Sequence, residues 1–480
     1  MIQALVNVFK IPELRTKVLF TLGMLIVYRV GFWIPLPGVN QEELAQFFRQ
    51  AQGDQSAVGK LTSFVAIFSG GNLSQSTIFG LGIMPYITAS IIFQLMASAV
   101  PALKKLQEEG PTGRQKINEW TRYATVGLCI FQAFMWLTYI TRSGLVYQEW
   151  SGNVAWWIMC VTALTAGTVF MMWLGEQIDR YGIGNGVSMI IMAGILTGMP
   201  QALLWVLENS PIRTLWLTQL ILGPPDSQFS PSMGWLGIVL LVGGFVVVVA
   251  GSVLLTVAQR RIPIQQAKHT RGRRVYGGQK SFLPLRVNHS GVMPIIFASS
   301  LMIFPSVIFS GLASQASTNN AAGWWIALTQ WLGDNFSMGE LPYVVFELVL
   351  IYFFAYFWIT VQFNPEDMSK QLRDHGSFIP GLRPGPRTAE YLETVMERIT
   401  YVGAAFLAVI AVLPMVVHKA MGIDFSVTQF LGGTGLLIVV SVALDFVQRV
   451  EANLLMRNYA GFLGGTDDGK GPRMRGPRSM

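Results

Sequence analysis

Residues 235–258 read WLGIVLLVGGFVVVVAGSVLLTVA, without an acidic or basic side chain. A helix needs about 20 apolar residues to cross the hydrocarbon core of a bilayer. Because lipid offers no hydrogen-bond partners, a backbone at that depth must pair its own groups, as a helix does. The stretch therefore predicts a membrane-spanning helix.

The composition of the whole chain extends this prediction. Hydrophobic residues make up 52% of the 480 residues and charged residues only 12%, whereas soluble proteins carry about 25% charged residues. Cys129 and Cys160 lie inside apolar runs, which argues against a disulfide framework. The four histidines are too dispersed to predict a metal centre. We therefore expect a membrane protein without a cofactor.

Ten apolar stretches meet the same length criterion, so the predicted fold class is an all-α polytopic membrane protein. Ten spans divide into five and five, and the second five begin on the opposite side of the membrane from the first. Any structural repeat is therefore inverted, as is common in transport proteins. The predicted spans are 18–36, 77–100, 123–142, 154–174, 183–207, 235–258, 291–313, 342–363, 399–418 and 430–448.

The positions of the 34 lysine and arginine residues predict the orientation. An even number of spans places both chain ends on one side, and all but six of the basic residues fall on that side. Loops rich in lysine and arginine stay in the cytoplasm, so we expect both termini there. The six exceptions are Arg29, Arg49, Lys60, Arg142, Arg213 and Lys419.

The spans and loops together predict the domain organisation. Two five-helix halves are joined by an external hinge loop, and the second half carries two large cytoplasmic loops. The tail ends in a sequence that is poor in apolar residues and typical of disorder. The predicted parts are segment 1–17, N-terminal half 18–207, hinge loop 208–234, C-terminal half 235–450 with loops 258–290 and 364–398, and tail 451–480.

Without the family resemblance described below, the residues favour a secondary transporter, with a membrane enzyme as the alternative. The sequence, however, lacks the side chains that either function requires. A transporter needs ionisable side chains at mid-membrane, whereas Glu208, Glu347 and Asp445 lie towards span ends. Carboxylates at such places are expected to be interfacial or to pack between helices. An enzyme needs a nucleophile beside a base, and no such pair is recognisable. We therefore do not expect an enzyme.

A short apolar stretch, FVAIFSGGNLS at residues 64–74, precedes the second span. It is too short to cross a bilayer and is interrupted by Gly70 and Gly71. Short apolar segments of this kind are commonly re-entrant or interfacial. A loop lying on the external surface is the alternative.

Two cytoplasmic loops carry the largest polar features. Residues 258–288 hold eight basic side chains and no acidic one, a patch suited to phospholipid headgroups, RNA phosphates or an acidic protein surface. In the other loop, FIPGLRPGPR at 378–387, prolines and glycines predict a rigid turn that displays Arg383. The planar donor fork of an arginine suits docking of a protein partner.

Several long motifs resemble the SecY family, the protein-conducting channels of the general secretion pathway. Matching segments recur in order from about residue 8 to about residue 458. The most distinctive are FSGGNLSQSTIFGLGIMPYITASIIFQL at 68–95, RRVYGGQKSFLPLRVNHSGVMPIIFASS at 273–300 and FNPEDMSKQLRDHGSFIPGLRPG at 363–385.

The resemblance implies a fold and a set of functional residues. The two inverted pseudo-symmetric five-helix halves would enclose a central hourglass pore, with residues 64–74 as its plug. A lateral gate would open between the second and third spans on one side and the seventh and eighth on the other. The implied site residues are Ile83, Ile87, Ile191, Ile195, Ile296 and Ile438 for the pore ring; Phe64, Ile67, Phe68, Gly70, Gly71 and Leu73 for the plug; and Ser90 and Gln94 for the gate.

The resemblance also implies partners and a location. The chain would be the central subunit of a translocase in the bacterial inner membrane, with SecE and SecG as further subunits. The SecA ATPase and the ribosome would supply the driving force, and the cargo would be precursors of secretory and membrane proteins. Anionic phospholipids and ribosomal RNA phosphates would bind the basic loops. The expected docking residues are Arg260, Arg261, Arg273, Arg274 and Arg383.

Overall fold

The computed structural model is mainly helical. It describes residues 12–44, 46, 76–211, 234–266, 269–271, 274–276, 280–289, 291–318, 323–337, 339–421, 423, 427–428 and 433–463. The first half of the chain forms helices α1 (Pro12–Gly31), α2 (Met84–Ala99), α3 (Pro101–Glu108), α4 (Pro111–Arg142), α5 (Gln148–Ser151), α6 (Val154–Tyr181) and α7 (Gly186–Asn209).

The second half of the chain adds helices and short strands. After α8 (Trp235–Val257) come β1 (Gln259–Gln266), β2 (His269–Arg271), β3 (Arg274–Tyr276) and β4 (Lys280–Arg286). They are followed by α9 (Met293–Thr318), α10 (Gly323–Asn335), α11 (Leu341–Gln362), α12 (Pro365–Asp374), β5 (Ser377–Phe378), α13 (Pro386–Met421) and α14 (Thr434–Leu463).

Asparagine side chains define the starts of three helices. The Oδ1 atoms of Asn153, Asn185 and Asn364 accept hydrogen bonds from backbone N–H groups in the first turns of α6, α7 and α12, at 2.9, 3.2 and 3.1 Å. The first N–H groups of a helix have no partner within the helix, and asparagine is among the best residues for satisfying them. The starts of these helices are therefore encoded locally.

Each predicted span overlaps a helix of at least 16 residues. These helices are α1, α2, α4, α6, α7, α8, α9, α11, α13 and α14. In the described part of the chain, six helices are long and apolar enough to cross a membrane, or seven if α2 and α3, which meet at 102°, form one broken span. The ten-helix layout fits the fold, while the number of spans remains a prediction.

The second span begins later than predicted. Thr77 forms an isolated β-bridge with Pro35, residues 78–83 form turns rather than helix, and Gly82 has a φ of +63°. Pro85 lies in the first turn of α2, where its missing N–H would have no partner in any case. Glycine and proline therefore delay the start of the helix although residues 77–83 are apolar.

Three helices continue into regions predicted as loop or tail. Helix α4 begins at Pro111 rather than near residue 123, α13 begins at Pro386, and α14 continues to Leu463. Hydropathy marks where a helix leaves the lipid and not where the helix itself ends. The remainder of the tail, 464–480, lies outside the described residues.

A small sheet, which the sequence did not predict, connects the two large loops of the second half. Strand β1 pairs antiparallel with β4, with Ile262 opposite Leu283, and also with β5, with Gln265 opposite Phe378. Ile262 and Ile264 are buried, Arg261 and Pro263 are exposed and Gln265 is half-buried, the alternation typical of a strand with one covered face. Strands β2 and β3 form a separate pair.

The helices pack in two groups that correspond to the two halves of the sequence. In the first, α6 packs against α1, α4 and α7, while α2 packs against α4. In the second, α11 packs against α9 and α13, and α8 packs against α14. Between the described helices of the two groups, the main contact joins α7 and α14.

Gly186 allows α7 to approach α6 closely. A Cβ atom at Gly186 would overlap the backbone carbonyl of Gly175. We expect Gly186→Ala to lower the free energy of unfolding by about 1–3 kcal/mol, the usual cost of overpacking, because backbone cannot move aside as a side chain can. The measurement is the midpoint of thermal unfolding in detergent. Gly198→Ala on the same helix is the control, since a Cβ there meets no atom within 4 Å; equal midpoints for the two variants would contradict the prediction.

Candidate functional site

The six isoleucines predicted for the pore ring, here called the isoleucine set, are all buried. None is more than 8% exposed, and all belong to one continuous cluster of buried apolar side chains. They come from both helix groups: from the start of α2 and from α7 in the first, and from α9 and α14 in the second. The members are Ile83, Ile87, Ile191, Ile195, Ile296 and Ile438.

Burial of these residues does not follow from residue type alone. Ile92, also on α2, is 42% exposed, and Ile158 on α6 is 62% exposed. A helix in lipid turns some apolar side chains outwards, since lipid tails are as apolar as they are. The inward positions of the isoleucine set are therefore a property of the packing. Ile191 is buried, while the adjacent Met192 is only partly buried against the same cluster.

The carboxylates noted in the sequence have three different environments. Glu208 is exposed at the end of α7. Asp445 forms an ion pair with Arg449, 2.9 Å between Oδ2 and Nε. Glu347 is 2% exposed and is the only buried acidic or basic side chain in the described part of the chain. Glu347 is therefore not interfacial, because neighbouring helices cover it.

The two predicted gate residues lie on successive turns of α2. The Nε2 atom of Gln94 donates a hydrogen bond to Ser90 Oγ over 3.1 Å, and Gln94 is exposed. Gln94 also lines a cavity of about 210 Å³ whose walls come from α2, α3, α4 and, through Val361, from α11. Gln94 therefore lies where the two helix groups face each other.

A larger cavity, of about 670 Å³, opens between the two helix groups near the same place. Lys104 and Arg114 line it on the side of α3 and α4. Asp367, Glu393 and Glu397 line it on the side of α12 and α13. The two walls therefore carry opposite charge. In the described structure, α2 and α4 make no extensive contact with α9 or α11.

The predicted plug lies outside the described residues. This applies to all of segment 64–74 and to its six named side chains: Phe64, Ile67, Phe68, Gly70, Gly71 and Leu73.

The described basic residues of the first loop lie on the strands, some on the small sheet and others on the separate β2–β3 pair. Arg260 and Arg261 are consecutive residues of β1, and both are exposed. Arg274 begins β3, opposite Arg271, and Arg273 lies outside the described residues. An apolar cluster that includes Ile262 and residues of α11 and α13 supports the sheet. The arginines of β1 are therefore displayed on a braced surface.

Arg383 lies on a turn that is held from two sides. Thr388 Oγ1 donates a hydrogen bond to the Arg383 carbonyl over 2.9 Å, and Ser369 Oγ donates one to the Gly385 carbonyl over 2.8 Å. Gly381 and Gly385 have φ values of +86° and +132°, which residues with a Cβ rarely adopt. The Arg383 side chain is exposed. Because β5 pairs with β1, the turn that follows β5 and the arginines of β1 are connected through the same sheet.

His289 does not add to the positive charge of this surface at neutral pH. Its ring lies against Phe363, with the ring centroids 6.3 Å apart. Burial lowers the pKa of His289, and the nearby positive charge of Arg286 lowers it further. The charge of the basic surface therefore comes from arginine and lysine.

Two structural features were not predicted from the sequence: an ion pair between α4 and α6, and the strands of the first cytoplasmic loop. Arg122 on α4 forms an ion pair with Glu176 on α6, 2.8 Å between Nη2 and Oε1, and its partners are too far apart in the chain for a local pattern to connect them. The strands had a detectable signal, since apolar residues alternate at Ile262 and Ile264 and again at Leu283 and Leu285. That alternation predicts a strand, but the high charge of the loop obscured it.

Comparison with known proteins agrees with the family resemblance of the motifs. The family model described as SecY matches residues 77–447. Proteins named "Protein translocase subunit SecY" are similar to this chain in Streptomyces coelicolor, at 40% identity over 96% of this chain and 100% of that protein, and in Thermotoga maritima, at 40% identity over 96% and 97%.

Solved structures share the fold at lower sequence identity. One described as the structure of a protein conducting channel has a TM-score of 0.57 at 16% identity, covering 94% of this chain and 95% of the other. Sec61 in the canine ribosome–channel complex from the endoplasmic reticulum has a TM-score of 0.53 at 15% identity, with the same coverage. Both likenesses concern the arrangement of the helices.

Proposed function

Since this chain belongs to the SecY family and is a channel subunit for protein translocation, we propose that the isoleucine set forms the constriction of its channel. Burial of six isoleucines from both helix groups in one apolar cluster is the observation that carries this proposal. Other isoleucines of the helices divide between the two environments: Ile92 and Ile158 are exposed, whereas Ile178 is buried in the same cluster. The proposal therefore depends on contributions from both helix groups and not on burial alone. The constriction closes where the two groups meet.

An apolar constriction explains how a polypeptide passes while ions are retained. A narrow ring of isoleucines cannot replace the hydration shell of an ion, so it closes by dewetting. Isoleucine also offers no hydrogen bond or charge that would hold a passing chain. An unfolded polypeptide can therefore widen the ring and leave it again. Segment 64–74, which lies outside the described residues, is proposed as the plug of the channel.

Besides the path through the constriction, a hydrophobic segment of the cargo would have a second path, sideways into lipid. This lateral gate would open between α2 and α4 on one side and α9 and α11 on the other. The cavity lined by Gln94 and Val361 supports this location. A leucine or isoleucine at the centre of a span favours insertion by about 0.3–0.6 kcal/mol, whereas a charged residue opposes it by about 2.5–3.5 kcal/mol. A segment at the gate would therefore enter lipid or continue through the channel according to its own hydropathy.

The chain is a multi-pass membrane protein, and the proposed membrane is the bacterial inner membrane with both termini in the cytoplasm. This orientation places β1–β5 and Arg383 in the cytoplasm. We propose that this surface receives SecA or the ribosome, and the fold shared with Sec61 from a ribosome–channel complex supports the latter. SecE and SecG are the proposed companion subunits, anionic phospholipids the proposed lipid partners, and precursor proteins the cargo.

Crosslinking of a stalled precursor tests the constriction. With single cysteines at positions 83, 191 and 438, we expect a translocation intermediate to form crosslinks at all three, because the chain must pass the whole ring. Cys129 and Cys160 are buried, so the natural thiols are poorly accessible to the reagent.

The control for this experiment is a cysteine at position 158, where the native isoleucine is 62% exposed. It should form no crosslink with the precursor. Crosslinks at 158 in preference to the three ring positions would exclude a route through the isoleucine set.

A further inference from the structure

Glu347 is a polar group that the proposed channel does not use. It lies on α11, is 2% exposed, and is flanked one turn away on each side by the buried residues Tyr343 and Ile351. An unpaired carboxylate in such surroundings is expensive. Within a membrane-spanning segment an ionisable side chain is a candidate for function, and its partner has to be identified.

The partner of Glu347 is Ser299 on the neighbouring helix α9. Ser299 Oγ lies 3.3 Å from Glu347 Oε1 and 2.8 Å from the carbonyl oxygen of Ile295. A serine hydroxyl has one proton to donate. When that proton is directed to Ile295, the contact with Glu347 requires a proton on the carboxyl group. Glu347 Oε2 has no partner among the described residues, which also suits a neutral acid better than an anion.

This contact lies close to one member of the isoleucine set. Ser299 follows Ile296 by three residues on α9, which is about 4.5 Å along the helix axis. Ile295, Ile296 and Ser299 are all buried. The apolar surfaces of two helices in a membrane do not by themselves define one rotation or register. A single buried polar pair can do so, as a buried asparagine does in a coiled coil.

We propose that Glu347 is a positioning residue, whose carboxyl group bonds to Ser299, fixes α9 against α11 and thereby holds Ile296 in the constriction. The inference rests on the proposed constriction and deepens it, since it names the group that sets the position of one ring residue. Loss of the contact would let α9 rotate or shift and leave the ring incompletely closed.

A double-mutant cycle in the complete translocase tests this role. Glu347→Leu and Ser299→Ala should each raise the ion leak of reconstituted vesicles by about threefold to tenfold, the range expected for one polar contact between membrane helices. The double variant should leak no more than either single variant, because both changes remove the same contact. Glu347→Gln, which keeps a neutral donor and acceptor, should leak like the parent protein.

The control is Ser252→Ala on α8. Ser252 is also buried and bonds to the carbonyl of the residue four before it, Val248, over 2.7 Å, but it has no carboxyl partner in the described structure. It should not change the leak. If Glu347→Leu fails to insert, the leaks of Ser299→Ala, expected to be raised, and of Glu347→Gln, expected to equal that of the parent protein, still test the role of Glu347.

Additive leaks from the two single changes, or a Glu347→Gln variant that leaks as much as Glu347→Leu, would overturn the proposal. Unchanged leak in all variants, with ring crosslinks intact, would reject the role of Glu347 and leave the constriction standing. Absence of the ring crosslinks would instead reject the constriction itself.

Discussion

Replacement of both Ile87 and Ile191 by asparagine is expected to make the resting channel leak ions and to relax its requirement for a signal sequence. Both residues are buried in the apolar cluster, at 8% and 5% exposure. An amide without a partner in such a place costs about 1–3 kcal/mol, and this cost is relieved when water enters. The substitutions therefore stabilise the hydrated, open state relative to the dry, closed one.

The size of this effect follows from the two amides. If their costs add, the two amides shift the equilibrium between the closed and the open channel by about 2–6 kcal/mol. Each 1.4 kcal/mol changes an equilibrium constant about tenfold. We therefore expect at least about a tenfold rise in open probability in planar-bilayer recordings. Translocation of a precursor with a defective signal sequence should rise in parallel, because the same closed state opposes both.

Ile158→Asn is the matched control, since it introduces the same amide at a position that is 62% exposed. It should leave the conductance at the parent level in correctly inserted protein. Unchanged conductance in the Ile87 and Ile191 double variant would remove these residues from the seal. Equal leaks in the control would point to general destabilisation.

Arg383→Glu is expected to abolish partner-driven translocation while the protein still inserts in the membrane. The Arg383 side chain is exposed and makes no hydrogen bond or ion pair with the described residues, so folding does not depend on it. Loss of one partner of a desolvated charge pair costs about 2–5 kcal/mol of binding. This corresponds to a loss of about 30-fold or more in affinity, and the reversed charge adds repulsion.

The measurement is uptake of a precursor by vesicles that contain the variant translocase, together with binding of SecA to the same vesicles. Arg398→Glu is the control, because Arg398 is also exposed on α13 but lies about 16 Å further along that helix than Arg387, well beyond the turn. Normal uptake with Arg383→Glu would exclude Arg383 from the docking surface. A defect of equal size with Arg398→Glu would indicate a diffuse electrostatic attraction.

The turn that carries Arg383 could be predicted from the sequence, whereas the strand pairing next to it could not. Pro380, Gly381, Pro384 and Gly385 predicted a rigid turn, and glycines with positive φ are found at positions 381 and 385. The pairing of β5 with β1 could not be predicted, because it joins segments more than a hundred residues apart. Local backbone preferences define the turn, whereas the partner of a strand depends on the rest of the fold.

The amino-acid sequence by itself determined that the chain is a membrane protein and where its long helices lie, because a bilayer accepts only apolar segments that satisfy their own backbone hydrogen bonds. The spacing of Ile83 and Ile87, or of Ile191 and Ile195, placed each pair on one face of its helix. The tertiary structure decided which way each face points, since it buries the isoleucine set and Glu347 and leaves Ile158 exposed. Lipid and protein interior are equally apolar, so hydropathy cannot distinguish the two directions, and only the packing of distant helices does.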